Sequence, residues 1–385
     1  MFKIFYTNND STIYEGYPEV NTGIDELLEI GKRYSSDLTS FNESRALVKF
    51  DINEIKAALT KYSVNINNCK FMLQLYTTHT KNLPADYTIT ANIVAQPWIN
   101  GTGFLTSTTP AADGVTWNYP SSGSTWISSS QNIQYKSSSL FISGSGNGGS
   151  WLYETSSSIF NITYFNQSFA TNGPVSYNES FNRQPTDINL DITNAVKIWV
   201  SGSGGIEIDN NGLILRYSDA DAANDNITGY INYFSRETHT IYVPKLIMYW
   251  DNSTYTTGSL TGIDLESFSV YTHVKPTYKD TEIAKIRIYG RDKFPQKSAT
   301  NLFPIQTIKT LPSTTYYTVK DAATDETIIP YDDIYTKVSC DSTSNFIHLD
   351  LNGFMPERYY RLELKLVDGI TEQYITDQIY FKVVR

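Results

Sequence analysis

The chain has 385 residues, 40% of them hydrophobic and 14% aromatic. That is core material for roughly two or three domains, and it excludes a disordered chain. A formal charge of −10 excludes a broad nucleic-acid-binding face, which needs clustered Lys and Arg.

The N-terminus, MFKIFYTNNDS, has no long apolar segment and no small-residue cleavage site, so no signal peptide is expected. No run approaches about 18 apolar residues, so no membrane span is expected. The 2 cysteines, Cys69 and Cys340, are far apart and suit buried thiols in a reducing compartment better than a disulfide framework. The 29 tyrosines, with abundant Thr, Ser, Asn and Ile, make a β-rich composition.

In chain order, GIDELLEIGKR (23–33) reads as a helix by composition, or equally as a strand with Leu28 and Ile30 inward. SRALVKFDI (44–52) alternates with a period of two. Ala46, Val48, Phe50 and Ile52 fall on one face, and Arg45, Leu47, Lys49 and Asp51 on the other. That predicts a half-buried strand with a charged, wet outer face. Ile55–Thr60 reads as a short helix. FMLQLYTT (71–78) and YTITANIVAQPW (87–98) read as strands. A Ser/Gly/Thr-rich stretch, 101–150, holds Trp117 and Trp126, with Trp151 at its end. ITYF (162–165) and INLDIT (188–193) are strands. Asn194–Trp199 is a second short helix, capped by Thr193 or Asn194 and burying Val196 and Trp199. GLILRYS (212–218), GYINYFS (229–235) and KLIMYW (245–250) complete the half. Many short strands and few helices predict a sandwich or jelly roll.

After a polar connector at 251–262, strands resume with FSVYTHV (268–274), EIAKIRIYG (282–290), TTYYTVKD (314–321), NFIHLDLNG (345–353), YYRLELKLVDG (359–369) and YFKVVR (380–385). KIRIYG again predicts one wet face. The expected fold class is therefore all-β: an N-terminal jelly-roll β-sandwich over 1–255, then an immunoglobulin-like β-sandwich over 256–385.

Candidate chemistry is sparse. Gly144–Gly149 matches G-x-G-x-x-G, but WLYETSSSIFNITYF follows it rather than a helix. A flexible glycine loop is expected there, and no nucleotide cofactor. Asp219, Asp221 and Asp225 crowd one loop and are a calcium candidate, although the loop lacks the glycine and terminal glutamate of an EF-hand. A solvated turn is the competing reading. The four histidines, His79, His239, His273 and His348, are scattered, and no H-E-x-x-H, C-x-x-C or G-x-S-x-G pattern occurs. Trp98, Trp117, Trp126 and Trp151 suit either a sugar-stacking platform or a sandwich core, and the core is favoured.

Motifs in fixed order add a resemblance. Asn21-Thr22-Gly23, Leu28-Glu29-Ile30-Gly31, SRALVKFDI, Pro97-Trp98, Gly114-Val115-Thr116-Trp117, Asp191-Ile192-Thr193 through Trp199, Asn211–Leu215 and Pro244–Tyr249 resemble the DNRLRE-type jelly-roll module. That family is a structural and binding fold without a common catalytic centre. RDKFPQKS (291–298), 311–333, 335–365 and YFKVVR resemble the C-terminal domain of virion structural proteins of tailed bacteriophages, including marine and crAss-like phages.

The resemblance implies a non-enzymatic neck or tail ring protein, assembled in the host cytoplasm and located in the virion. Its partners are further copies in a closed ring and adjacent neck or tail proteins, with no cofactor, nucleic acid or membrane. A carbohydrate-binding or receptor-binding tail protein is the alternative. Arg45, Lys49, Trp117, Trp126 and Trp151 are the residues expected to face a neighbour or a glycan. The 101–150 stretch is expected to order on a neighbour, and YFKVVR to offer a strand edge for pairing.

Overall fold

SRALVKFDI forms a strand, but it stops early and neither face is wet. The computed structural model describes residues 1–385 except 36–38, 107–112, 129–139, 155–174, 184–185, 202–207, 301 and 304–306. The expected strand ITYF lies outside the described residues. The chain divides into two compact units, Phe5–Ile247 and Met1–Ile4 with Met248–Arg385. The fold is all-β, an N-terminal β-sandwich followed by a C-terminal one.

The N-terminal elements are β1 Phe2–Tyr6, β2 Asn9–Tyr14, β3 Leu27–Tyr34, β4 Phe41–Lys49, α1 Ile52–Tyr62, β5 Cys69–Leu75, β6 Thr77–Lys81 and β7 Asp86–Ile93. A short hairpin follows, β8 Leu140–Ser143 with β9 Trp151–Glu154. Then come β10 Ser176–Asn182, β11 Ile188–Asp191, α2 Thr193–Ser201, β12 Leu213–Tyr217, α3 Asp219–Ala223, β13 Gly229–Phe234 and β14 Lys245–Trp250. One sheet runs β1-β14-β5-β11. The other runs β10-β7-β12-β4-β3-β13-β6, with β2 also paired to β4.

The ambiguous GIDELLEIGKR segment is a strand because β4 and β13 flank it and Leu28 and Ile30 are buried. The sheet supplies backbone partners along its length, which overrides helix propensity. In β4, Ala46 and Val48 are buried as expected, but so is Leu47 on the other face. Leu47 joins Ile13, Val94, Trp98, Val115, Trp117, Trp126, Trp151 and Ile214 in one apolar cluster. The tryptophan-bearing segments cover the face that the alternation made wet. Each fully buried Leu or Ile there contributes about 1.5–3 kcal/mol.

Lys49 ends the strand, because Asp51 caps α1 by accepting a hydrogen bond from Asn53 N at 2.8 Å. Glu54 in the first turn and Lys61 in the last complement the helix dipole, and Ile55 and Ala58 face the core. α2 begins differently from the expected Thr193 or Asn194 cap. Asp191 accepts from Thr193 N at 2.9 Å, while the Thr193 hydroxyl accepts from Phe71 N on β5 at 2.8 Å. The helix buries Val196 and Trp199 as expected.

The C-terminal unit holds β15 Phe268–His273, β16 Thr277–Lys279, β17 Ile283–Asp292, β18 Thr315–Asp321, β19 Thr327–Ile329, β20 Ser339–Cys340, β21 Asn345–Asp350, β22 Arg358–Asp368 and β23 Thr371–Val384. Its sheets run β15-β17-β21-β20 and β16-β23-β22-β18-β19. Along β17, Ala284, Ile286 and Ile288 are buried, and Lys285, Arg287, Tyr289 and Arg291 alternate with them on the opposite face. The wet face expected of KIRIYG is there.

The open edge expected at YFKVVR is closed over its last residues. Lys382, Val383 and Val384 pair in parallel with Thr277, Tyr278 and Lys279. Among the described residues, the earlier part of β23, from Thr371 to Phe381, has no strand on the side away from β22, as is also true of sheet-end strands such as β15.

Candidate functional site

β4 and β12 are adjacent antiparallel strands, with Ile214 opposite Leu47 and Leu215 opposite Ala46. This brings Arg45 and Arg216 to one layer of the N-terminal unit. The Arg45 guanidinium lies 4.8 Å from the Trp117 ring centre and 5.3 Å from that of Trp151. Arg216 lies 4.2 Å from the Trp151 ring. Arg45 also donates to Gly148 O at 2.6 Å and to Glu43 Oε2 at 2.7 Å. Arg216 donates to Asp219 at 2.6 Å and to the Tyr217 carbonyl at 3.2 Å. Desolvated guanidinium–ring contacts of this kind contribute about 2 kcal/mol each.

The glycine loop owes its composition to this stack. Gly148 has φ +69, and a Cβ there would sit 2.8 Å from Trp117 and 3.0 Å from Arg45 Nη1. Its amide donates to Trp117 O at 2.6 Å. Only glycine fits a left-handed residue pressed onto an indole. The loop is therefore a clamp on the stack.

The tryptophans have no face left for a sugar. Trp117, Trp126 and Trp151 are 5%, 2% and 8% exposed. Trp98 Nε1 donates to Asn211 O at 2.7 Å, and Trp126 Nε1 to Thr116 O at 3.2 Å. The glycan-facing expectation for these rings is corrected by their burial. Arg45 is likewise held inside the stack. Arg216 escaped sequence reasoning, although a lone arginine in the otherwise apolar strand LILRY was a usable signal.

The stretch expected as a loop begins as the short helix α3, which carries Asp219 and Asp221, and the three acidic candidates turn to different partners. Asp219 pairs with Arg216 at 2.6 Å, and Asp225 lies 3.8 Å from Lys32 Nζ. Asp221 accepts from Thr88 N at 2.7 Å and from the Ser218 hydroxyl at 2.9 Å. Among the described residues, no group of three or more His, Cys, Asp or Glu is placed to hold a metal ion. Cys69 and Cys340 are buried free thiols.

Lys49 is placed differently from Arg45. It lines a cleft of about 570 Å³ with Asn8, Asp51, Asn53, Lys56, Trp199, Ser201, Asp209 and Asn210. Asn210 shapes the floor by donating to Phe50 O at 2.8 Å and accepting from Gly212 N at 3.1 Å. The lining offers amide and carboxylate acceptors beside two ammonium groups.

One buried acid stands apart. Asp10, in β2, is 2% exposed and accepts from Arg236 N at 2.6 Å. Burial pushes its carboxyl up to about 7, against the opposing pull of the Arg236 amide and charge.

No family model matches the chain, and no curated protein matches it. Two solved structures are weakly similar. The adhesin domain of Epf from Streptococcus pyogenes is 9% identical with a TM-score of 0.16, over 97% of this chain and 91% of that one. A β-glucuronidase from Parabacteroides merdae is 8% identical with a TM-score of 0.17, over 99% of this chain and 35% of that one.

Proposed function

We propose that this chain is a non-enzymatic structural component of a bacteriophage virion, a neck or tail ring protein that assembles with itself and with adjacent tail proteins. The resemblance of residues 291–385 to tailed-phage virion proteins supplies the setting. The observation that carries the reading is the open edge of β23. From Thr371 to Phe381 it presents unpaired backbone groups, with Tyr374 and Tyr380 exposed along it and Ile370 exposed at the hairpin tip. Such an edge invites a strand from a neighbouring chain, and a lone copy gains nothing from it. Mass spectrometry of purified particles from the phage that encodes the chain tests this. Detection at several copies per particle is expected, and particles lacking the chain overturn it.

The Lys49 cleft favours a second reading, a carbohydrate-binding or receptor-binding tail protein. Its amides and carboxylates match sugar hydroxyls. Binding on a glycan array that falls at least about tenfold in Lys49→Ala supports it. Silence on the array rejects it.

A further inference from the structure

The N-terminal unit carries an exposed apolar patch that its own fold leaves uncovered. Tyr17, Ile24, Ile99 and Phe104 are 58%, 43%, 55% and 42% exposed. Backbone bonds gather them into one loop cluster. Ile24 N donates to Gly103 O at 3.0 Å, Asn118 N to Pro18 O at 3.2 Å, and Ile99 N to Pro120 O at 3.1 Å. Glu15, Glu19, Asp25 and Glu26 lie in the same loops. Asp25 accepts from Leu105 N at 3.1 Å, Glu19 is bonded by Asn118, and Glu26 lies 4.0 Å from His239. Exposed apolar residues gathered in one loop cluster with carboxylates among them mark a protein interface.

The outer face of β15-β17-β21 in the C-terminal unit has the opposite character. Tyr271 and Tyr289 are cross-strand partners whose rings stack at 5.0 Å. Arg291 lies over Tyr271 at 5.6 Å, and Lys285 over Phe346 at 3.8 Å. Asp341 is the part-exposed carboxylate at this face, 2.6 Å from Arg287 and 3.2 Å from Lys285. Lys285, Arg287 and Arg291 against Asp341 and the buried Asp350, which the register puts opposite Ile283, leave it positive. The charge also divides unevenly along the chain. Residues 5–247 hold 14 Lys and Arg against 22 Asp and Glu, and the C-terminal unit 16 against 18.

We propose that copies of this chain join head to tail, with the acid-rimmed apolar loop cluster of one copy (Tyr17, Ile24, Ile99, Phe104) seated on the cationic aromatic sheet face (Tyr271, Tyr289, Arg291, Lys285) of the next. The occupant is a second copy because one chain carries both complementary faces. This rests on the assembly reading above and names its surfaces. Two different patches in contact make a heterologous interface, which closes into a ring or extends. Opposed rim charges steer association and fix its register, and like charges brought together at the same rim strongly oppose it.

The test uses full-length chains in sedimentation velocity. Wild type should self-associate in a concentration-dependent way near 0.1 M salt and weaken by about tenfold or more near 1 M, as screening shortens from about 10 Å to about 3 Å. Variant one carries Glu19→Lys with Glu26→Lys, and variant two Lys285→Glu with Arg291→Glu. Each alone should be monomeric with unchanged circular dichroism, and an equimolar mixture should associate again in 1:1 stoichiometry, because the native pair of faces and the doubly reversed pair are both of opposite charge. Lys61→Glu, on the exposed side of α1, should associate as wild type does. A wild type monomeric at every concentration, or association untouched by either reversal, overturns the proposal. Particles that contain the chain while both reversals still assemble would leave the virion role standing and refute these two faces.

Discussion

Replacing Asp10 with asparagine should stabilise the protein above neutral pH, and the gain should vanish in acid. The carboxyl is buried in β2, and its folded value near 7 exceeds the ordinary 3.8 because burial disfavours the charged form. A raised acid holds its proton in the folded chain while the unfolded chain has already lost it. Between those two values the folded state binds more protons, so stability falls as pH rises and levels off above 7. A difference of about three pKa units corresponds to about 4 kcal/mol at pH 8, under about 2 kcal/mol at pH 5 and almost nothing below pH 4. Asparagine keeps an oxygen for the Arg236 amide and carries no charge. Its extra amide hydrogens need an acceptor, which offsets about 1 kcal/mol. The expected net gain is therefore about 3 kcal/mol at pH 8.

Urea titrations of wild type and Asp10→Asn from pH 4 to pH 8, followed by tryptophan fluorescence, measure this. Five of the 6 tryptophans lie within residues 5–247, so the signal reports mainly the unit that holds Asp10. The decisive quantity is the change in stability difference with pH. A difference that stays flat across the range, or a variant that loses stability at pH 8, refutes the argument that burial of a charge dominates at this site.

Two further outcomes follow from the packing. Trp151→Ala should cost about 3–5 kcal/mol, because it removes a core indole and the ring between Arg45 and Arg216. Trp151→Phe should recover part of that in the same titration, and a loss below about 1 kcal/mol would show that the stack carries little stability. The thiols should resist labelling. Burial pushes Cys69 up to about 11 and raises Cys340 as well, so an aromatic disulfide reagent at pH 8 should react with neither until urea exposes both. Immediate reaction in the native protein would contradict their burial.

The all-β class was readable from period-two alternation, because a strand's inward residues must be apolar wherever one face is covered. What local pattern did not reveal was which outer faces acquire a second cover. KIRIYG and SRALVKFDI alternate alike, yet Arg287 and Arg291 keep a half-exposed face while Arg45 lies beneath Trp117 and Trp151. The cover comes from Val94, Trp98, Val115, Trp117, Trp126 and Trp151, distant in sequence, so no window around Arg45 contains it. GIDELLEIGKR shows the same limit from the other side. Its composition permits a helix, and only the neighbouring strands β4 and β13 decide for a strand.

That difference in cover is also what separates stability from association in this chain. Arg45 and Arg216 are packed against indole rings and donate to Gly148, Glu43, Asp219 and Tyr217, so altering them disturbs the fold first. Arg291, by contrast, meets a serine hydroxyl and one face of an exposed tyrosine, which leaves its charge open to a neighbour. Charge reversal at Arg45 would therefore confound an assembly assay with unfolding, whereas reversal at Arg291 reads association with the fold intact. The residues that first drew attention in the sequence are the wrong ones for testing contact between chains. The right ones lie on the strand whose wet face stayed wet.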